Sequence, residues 1–481
     1  MLLLSIAVCL TGSCNDKKDI ATSNNPRYAT TVEQRITRIT NNLQVETEVE
    51  SQFRNDSLYK RLRYYHTPGI SVAVINDGKL EWARGFGVKE TNSIDSIGVE
   101  TLFQAGSISK PVFALAVMKL KQDGKVDLDK DVNQYLKSWK IPANNDWQPL
   151  ITLRQLLSHT AGTTVHGFPG YMKSEEIPSV QEVLKGSGPA NTAAVRVNIL
   201  PGTQFRYSGG GTTIAQLAVS DLIAKPFPAI VRETIFDPLN LRHSTYEQPL
   251  PDSKEVLAST ASPWKGQPLK GRYHVYPEMA TAGLWTNPSE LAALVLEVQK
   301  AYNGHSSFFR KETIVEMLTP QKIMKDIGIG FFLEKKGTSE RFGHNGWDEG
   351  FVAQLTAYTK EGKGAIVMVN SNEGYAIMDE IIRSIAKEYK WSDYLPNDKK
   401  NAVTGIDPAD SGSYYNKDSL EMKIVMLNNR PQLVYQHQNP IPLYQSAEKY
   451  YYSPSMNFKV HINNKELRFE QGGNSQVYTR K

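Results

Sequence analysis

Phe103-Gln-Ala-Gly-Ser-Ile-Ser-Lys110, running into Pro111-Val-Phe-Ala-Leu-Ala-Val-Met-Lys-Leu120, reads as a loop that delivers a serine to the start of a buried helix. Ser107 is suited to the N-cap region, and Pro111 falls in the first turn, where its missing N–H costs little. The apolar run after it predicts a core helix that Gly124 ends. On that helix Ser107 and Lys110 are three residues apart and share a face. A hydroxyl beside a desolvated amine is a nucleophile beside its base, because burial disfavours the charged amine. The helix N-terminus also favours negative charge developing near Ser107.

A bare S-x-x-K is weak evidence, since both residues are common. It recurs at Ser57/Lys60, Ser262/Lys265, Ser384/Lys387 and Ser446/Lys449. Those copies lack the glycine before the serine and the apolar helix after the lysine. Partners elsewhere in the chain must therefore decide.

Two further stretches supply them. Phe205-Arg-Tyr-Ser-Gly-Gly-Gly-Thr-Thr213 precedes the apolar run Ile214-Ala-Gln-Leu-Ala-Val219. A tyrosine on a glycine-rich turn reaches a site that bulkier neighbours would block, and its phenol near a cation can share proton transfer with Lys110. A phosphate cradle is excluded because no Gly-Lys-Ser/Thr follows. In Phe342-Gly-His-Asn-Gly-Trp-Asp-Glu-Gly-Phe351, glycines flank His344 and Asn345, so a strand edge can approach a ligand closely. His344 is positioned to donate a hydrogen bond to substrate, and a strand N–H just after Gly346 to face an oxyanion. The other histidines show no metal-binding spacing.

Working outward, Gly69-Ile-Ser-Val-Ala-Val-Ile75, the turn Asn76-Asp77-Gly78 and Lys79-Leu-Glu-Trp-Ala-Arg-Gly85 predict a hairpin. Strands are expected again at 328–333, 350–358 and 364–369, then a helix over 376–389. A fairly polar helix is expected over 31–50. The short helix beginning at Leu153 is expected to stop at Gly162. Strands open the domain, helices fill its middle and strands close it, which predicts one sheet built from both ends around an inserted helical block. The fold class is mixed α/β (α+β): an antiparallel sheet flanked by helices, plus a small C-terminal β domain. The chain divides into a signal segment 1–14, a polar tether 15–26, a catalytic domain 27–395, a linker 396–408 and a β-rich tract 409–481.

The 481 residues suffice for two or three domains. Net charge is +5, 55 basic minus 50 acidic residues, and the lysines are scattered. Without a basic stripe or aromatic–basic interleaving, no nucleic-acid partner is expected. Both cysteines lie in the first fourteen residues. The apolar run Met1–Cys14 is too short to span a bilayer and reads as a signal h-region. Thr11-Gly12-Ser13-Cys14 resembles a bacterial lipoprotein processing site with Cys14 as the lipidated residue, although Thr11 stands where leucine is usual.

Taken together, the motifs resemble the serine β-lactamase and penicillin-binding-protein-like hydrolases, particularly the class C and esterase-like branch, from about Pro68 to Lys390. Gly106-Ser-Ile-Ser-Lys110 matches S-x-x-K, Tyr207-Ser-Gly209 matches Y-x-N, and His344-Asn-Gly346 matches the K-T-G/H-x-G strand. Leu156-Leu-Ser-His-Thr-Ala-Gly162 and Ala282-Gly-Leu-Trp-Thr-Asn-Pro-Ser289 are supporting phrases. The resemblance implies a β-lactamase/transpeptidase-like fold and an acyl-enzyme mechanism. Ser107 would attack, Lys110 and Tyr207 would share acid and base roles, and the N–H groups of Ser107 and Trp347 would form the oxyanion hole. His344, Asn345, Gly346 and Gly209 would contact substrate. Gly209 departs from the usual asparagine and His344 from a permanently charged lysine. Both departures favour esters or unusual amides over β-lactams. The expected protein is a hydrolase of a small-molecule or peptide substrate, without metal or organic cofactor, held at a bacterial cell envelope by its lipid. A D-amino-acid peptidase or carboxypeptidase, a β-lactamase and an acylated receptor that does not turn over are the alternatives.

Overall fold

The structure, a computed structural model, describes residues 25–481 except 46, 50–55, 396, 401–406, 428–429, 437–439, 446–449, 454–455, 464, 472–473 and 481. Cys14, the signal segment and the tether up to residue 24 lie outside the described residues. At the tether's end Asn25 exchanges two side-chain hydrogen bonds of 2.9 Å with the backbone of Gly85.

The elements that frame the catalytic region are helix α1 (Thr30–Thr40), strands β1 (Gly69–Asn76) and β2 (Lys79–Gly87), and helices α2 (Ser109–Gln122), α3 (Gly209–Ile223) and α4 (Pro288–Tyr302). They are followed by strands β3 (Phe332–Lys336), β4 (Ser339–Asp348), β5 (Phe351–Tyr358) and β6 (Gly364–Val369), and by helix α5 (Tyr375–Glu388). The hairpin β1–β2 turns at Asp77 and Gly78, both with positive φ, as an Asp-Gly pair favours. The strand order is β2-β1-β6-β5-β4-β3, antiparallel throughout. The strands β1 and β2 thus complete a sheet whose other four lie more than 240 residues later, as the order of the apolar segments predicts.

Both faces of this sheet are covered, which is why its central strands read as continuous apolar runs. On β1, Ile70, Val72 and Val74 pack toward α1 and α5, while Ala73 and Ile75 face the helical block of residues 88–331. On β6, Ala365, Val367 and Val369 take the first face, and Ile366 and Met368 the second. The period of two is unbroken.

Several boundaries differ from the sequence reading. The N-terminal helix ends at Thr40, and Thr47–Val49 is a strand. That strand pairs in parallel with Asn397–Lys400, within the stretch read as a linker. The helix from Leu153 ends at Leu157, before Gly162, because His159 adopts φ 56°. The edge strand begins at Phe332 rather than Gly328. Gly330 is drawn against Ala114 of α2, and its N–H bonds Leu157 O at 2.9 Å, so these residues serve the helical block.

The C-terminal β domain is a nine-stranded sheet whose two edge strands, Ile441–Pro442 and Tyr444–Gln445, are separated only by Leu443. Edges that close in sequence must lie side by side, so the sheet curls into a barrel-like form around Tyr414, Ile424, Tyr451, Val460 and Leu467.

A buried ion pair ties the helix Leu58–Tyr64 to α5. Arg61 Nε bonds Glu380 Oε2 at 2.7 Å, and Tyr65 donates to Glu380 Oε1 at 2.9 Å. Glu380 is fully buried. Removing one partner strands the other charge in a dry site, so Glu380→Ala should lower the unfolding free energy by about 3–5 kcal/mol in equilibrium urea denaturation.

Candidate active site

Ser107 lies in a single 3-10 turn, Gly106–Ile108, which leads directly into α2. It does not cap that helix. The cap position belongs to Ile108, without a side-chain bond, and the turn is braced instead by Ser109. The Ser109 hydroxyl donates to Gly106 O at 2.6 Å and accepts from Leu284 N at 3.0 Å.

The turn is pressed backbone to backbone against β4. Gly106 has φ 51°, and a Cβ there would sit 2.3 Å from Trp347 N. A Cβ on Gly346 would sit 1.9 Å from Ala105 O and 3.4 Å from Ser107 N. Neither position has room for a side chain. The N–H groups of Ser107 and Trp347 are thereby brought onto neighbouring stretches of backbone, the arrangement an oxyanion requires.

Lys110, 2% exposed, donates from Nζ to Ser107 Oγ at 2.8 Å and to Thr281 O at 3.0 Å. Its Nζ also lies 5.0 Å from the centroid of the Tyr207 ring. Tyr207 is held just before α3 by its neighbours. Ser208 caps that helix by accepting from Gly211 N at 2.9 Å, and Ser208 N donates to His159 Nδ1 at 3.2 Å. The Tyr207 ring packs against His159 at 4.3 Å and His166 at 4.9 Å, centroid to centroid. His159, inside a stretch quoted from the sequence, and Thr281, just before another, were not read as site residues. Thr281 acts through its backbone carbonyl, which residue type does not reveal, and His159 through a ring nitrogen that accepts the backbone N–H of a residue 49 positions away.

His344 is buried, and its Nδ1 lies 2.6 Å from Asn345 O. A carbonyl only accepts, so Nδ1 carries the proton. Burial, with a further contribution from Lys110, lowers the pKa to about 3, so the ring is neutral at working pH. Nε2 is then an unprotonated acceptor, and it has no partner. The sequence reading made His344 a hydrogen-bond donor to substrate; the tautomer makes it an acceptor.

These groups line a cleft of about 700 Å³ that includes Ser107, Tyr207, Phe332, His344, Asn345 and Trp347. Asn345 reaches the opposite side of β4 from His344, toward Tyr375. Gly346 forms the floor. Gly209 is buried and does not line the cleft; a Cβ there would meet Thr281 Cγ2 at 2.9 Å and His166 O at 3.1 Å. The glycine in place of asparagine therefore reflects close packing at the start of α3.

A family model described as Beta-lactamase matches residues 55–390. Protein flp of Staphylococcus aureus is 24% identical over 255 residues, covering 53% of this chain and 47% of that protein. Esterase EstB of Burkholderia gladioli is 26% identical over 202 residues, covering 39% of this chain and 50% of that protein. The chain spans about half the length of the curated relatives it matches. Among solved structures, the octameric penicillin-binding protein homologue from Pyrococcus abyssi superposes with a TM-score of 0.60 at 18% identity, covering 87% of this chain and 98% of that one.

Behind the cleft, Glu278 is fully buried and neither carboxyl oxygen has a hydrogen-bond partner. Burial raises its pKa to about 8. Between the ordinary carboxylate range and pH 8 the folded state holds a proton that the unfolded chain has released. This group's contribution to stability is therefore full below about pH 4.5 and is lost as pH rises toward 8. Glu278→Gln should raise the unfolding free energy by about 3–5 kcal/mol at pH 8, with little change at pH 4.5, in denaturant titrations at the two pH values.

Proposed function

The chain belongs to the beta-lactamase family, and on that footing we propose that it is a serine hydrolase of the esterase-like kind, cleaving carboxylic esters or related amides through an acyl-enzyme. The observation that carries this reading is the 2.8 Å contact between Lys110 Nζ and Ser107 Oγ, beside the Tyr207 ring and at the mouth of a cleft.

In the first half-reaction the Ser107 hydroxyl gives its proton to Lys110 Nζ as Oγ bonds to the substrate carbonyl carbon. The carbonyl π electrons move onto oxygen, where the N–H groups of Ser107 and Trp347 receive the charge. Collapse of that adduct breaks the bond to the leaving group, which takes the proton by way of Lys110 and Tyr207. Water then repeats the sequence on the acyl-enzyme, releasing the acid and restoring Ser107.

The preference for esters rests on His344. A neutral ring with an unprotonated, buried Nε2 offers neither charge nor proton to a substrate carboxylate. Substrates that lack a carboxylate beside the scissile bond fit this wall best.

Turnover of a short-chain p-nitrophenyl ester beside a chromogenic cephalosporin tests the reading. Ser107→Ala should cut ester turnover by about 10³-fold or more, and Tyr207→Phe by about 10²-fold. Cephalosporin turnover should remain slow in all forms. Rapid cephalosporin turnover, or full ester activity in Ser107→Ala, would overturn the proposal.

We further propose that Cys14 carries a lipid that holds the protein at a bacterial cell envelope, on its periplasmic or outer face, on the strength of Thr11-Gly-Ser-Cys14 after an apolar run. Cys14→Ser should move the protein from the membrane to the soluble fraction and abolish incorporation of labelled palmitate.

A further inference from the structure

Lys110 belongs to α2 and Tyr207 precedes α3, yet one residue holds the mounting of both. Lys110 Nζ donates to Thr281 O at 3.0 Å, and the Thr281 hydroxyl donates to Gly209 O at 2.9 Å. Gly209 opens α3 two residues after Tyr207. Thr281 is 2% exposed, and its methyl carbon fills the space that a side chain on Gly209 would enter. Neighbouring groups extend this contact into a polar seam between α3 and the short helix Met279–Ala282. Thr213 Oγ1 lies 3.1 Å from Thr281 Oγ1 and also donates to Gly209 O at 3.1 Å. Gln216 Nε2 donates to Pro277 O at 3.1 Å, and its Oε1 accepts from Ala280 N at 2.8 Å. Gly209, Thr213 and Gln216 stand at i, i+4 and i+7, so one face of α3 carries the whole seam.

We propose that Thr281 is the positioning residue of the acid–base pair, its carbonyl seating Lys110 and its hydroxyl seating the turn that carries Tyr207. One residue thereby sets the separation of the amine from the phenol ring, whose centroid lies 5.0 Å from Nζ. This inference rests on the reading of Lys110 and Tyr207 as the groups that move the proton. The Gln216 contacts lie two turns further along α3 and anchor its body. The Thr213 contact with Gly209 O stays within α3 and cannot fix that helix relative to Lys110. The Thr281 hydroxyl is the bond that holds the first turn of α3 to the residue on which Lys110 rests.

Threonine suits the position because it offers both a donor and a methyl group. Serine keeps the donor, and valine keeps the shape without it. Thr213 still serves Gly209 O in Thr281→Val, so no buried carbonyl is stranded and the fold persists.

The test compares wild type, Thr281→Val, Thr281→Ser and Thr213→Val in p-nitrophenyl acetate kinetics and in the rate at which a fluorophosphonate probe labels Ser107. In Thr281→Val, kcat should fall about tenfold or more with KM within about twofold, and labelling should slow by a similar factor, since misplacement by about 1 Å is enough. Thr281→Ser and Thr213→Val should each stay within about threefold of wild type in both readouts. Thr281→Val behaving as wild type, or Thr213→Val losing as much as Thr281→Val, would overturn the positioning role, the second outcome because a merely structural seam predicts equal losses. If Thr281→Val does not fold, Thr281→Ser decides, because a loss of tenfold or more with the hydroxyl retained would sink the proposal. A wild type that neither cleaves the ester nor takes the probe at Ser107 would end the serine-hydrolase reading and this inference with it. A wild type that does both, matched by Thr281→Val, would end this inference alone.

Discussion

The meeting of Ala105-Gly106-Ser107 with Gly346-Trp347, backbone against backbone, is the constraint on which this structure depends. Side chains cannot intervene there, since a single added carbon would stand 1.9 Å from Ala105 O or 2.3 Å from Trp347 N. To bring those stretches together, the sheet must be assembled from both ends of the domain and α2 must be buried beneath it. The helical block then holds Lys110 from behind through Thr281 O and braces the turn through Leu284 N. The sheet supplies the strand, the block supplies the nucleophile and its base, and the cleft is the seam between them.

Around that seam the electrostatics are one-sided. His344 and His159 are buried with their pKa values depressed, first by loss of solvent and then by Lys110. Glu278 and Asp348 are buried with theirs raised. Desolvation thus favours the uncharged form of each of these four groups. In a medium of low effective dielectric, the fixed dipoles aimed at the reacting carbonyl act more strongly than they would in water.

Parts of this arrangement were legible in the residues alone. Ser107 and Lys110 are i and i+3 on a helix, a relation within one turn. The hairpin at Asp77-Gly78 and the apolar runs of β5 and β6 are likewise local. The start of β3 was misread because Gly328–Phe331 look like strand but are bound by α2 and the segment ending at Leu157. The end of the helix at Leu157 was misread because His159, not a glycine, takes the left-handed conformation. In both cases a contact distant in sequence overrode local preference.

The sequence by itself determined which groups have chemistry to offer and how they are spaced within a turn or a strand: Ser107 with Lys110, Tyr207 before its glycines, His344 between glycines. Periodicity and glycine placement are properties of neighbouring residues, so they survive in a linear reading. Only the tertiary structure decided the tautomer of His344, the packing that leaves no space at Gly209, the recruitment of His159 and Thr281, and the burial of Glu278 and Asp348. Those outcomes depend on desolvation and on backbone partners drawn from remote segments; Lys110 and Thr281, for example, are 171 residues apart. A buried carboxyl and a surface one are the same letter until the chain closes over one of them.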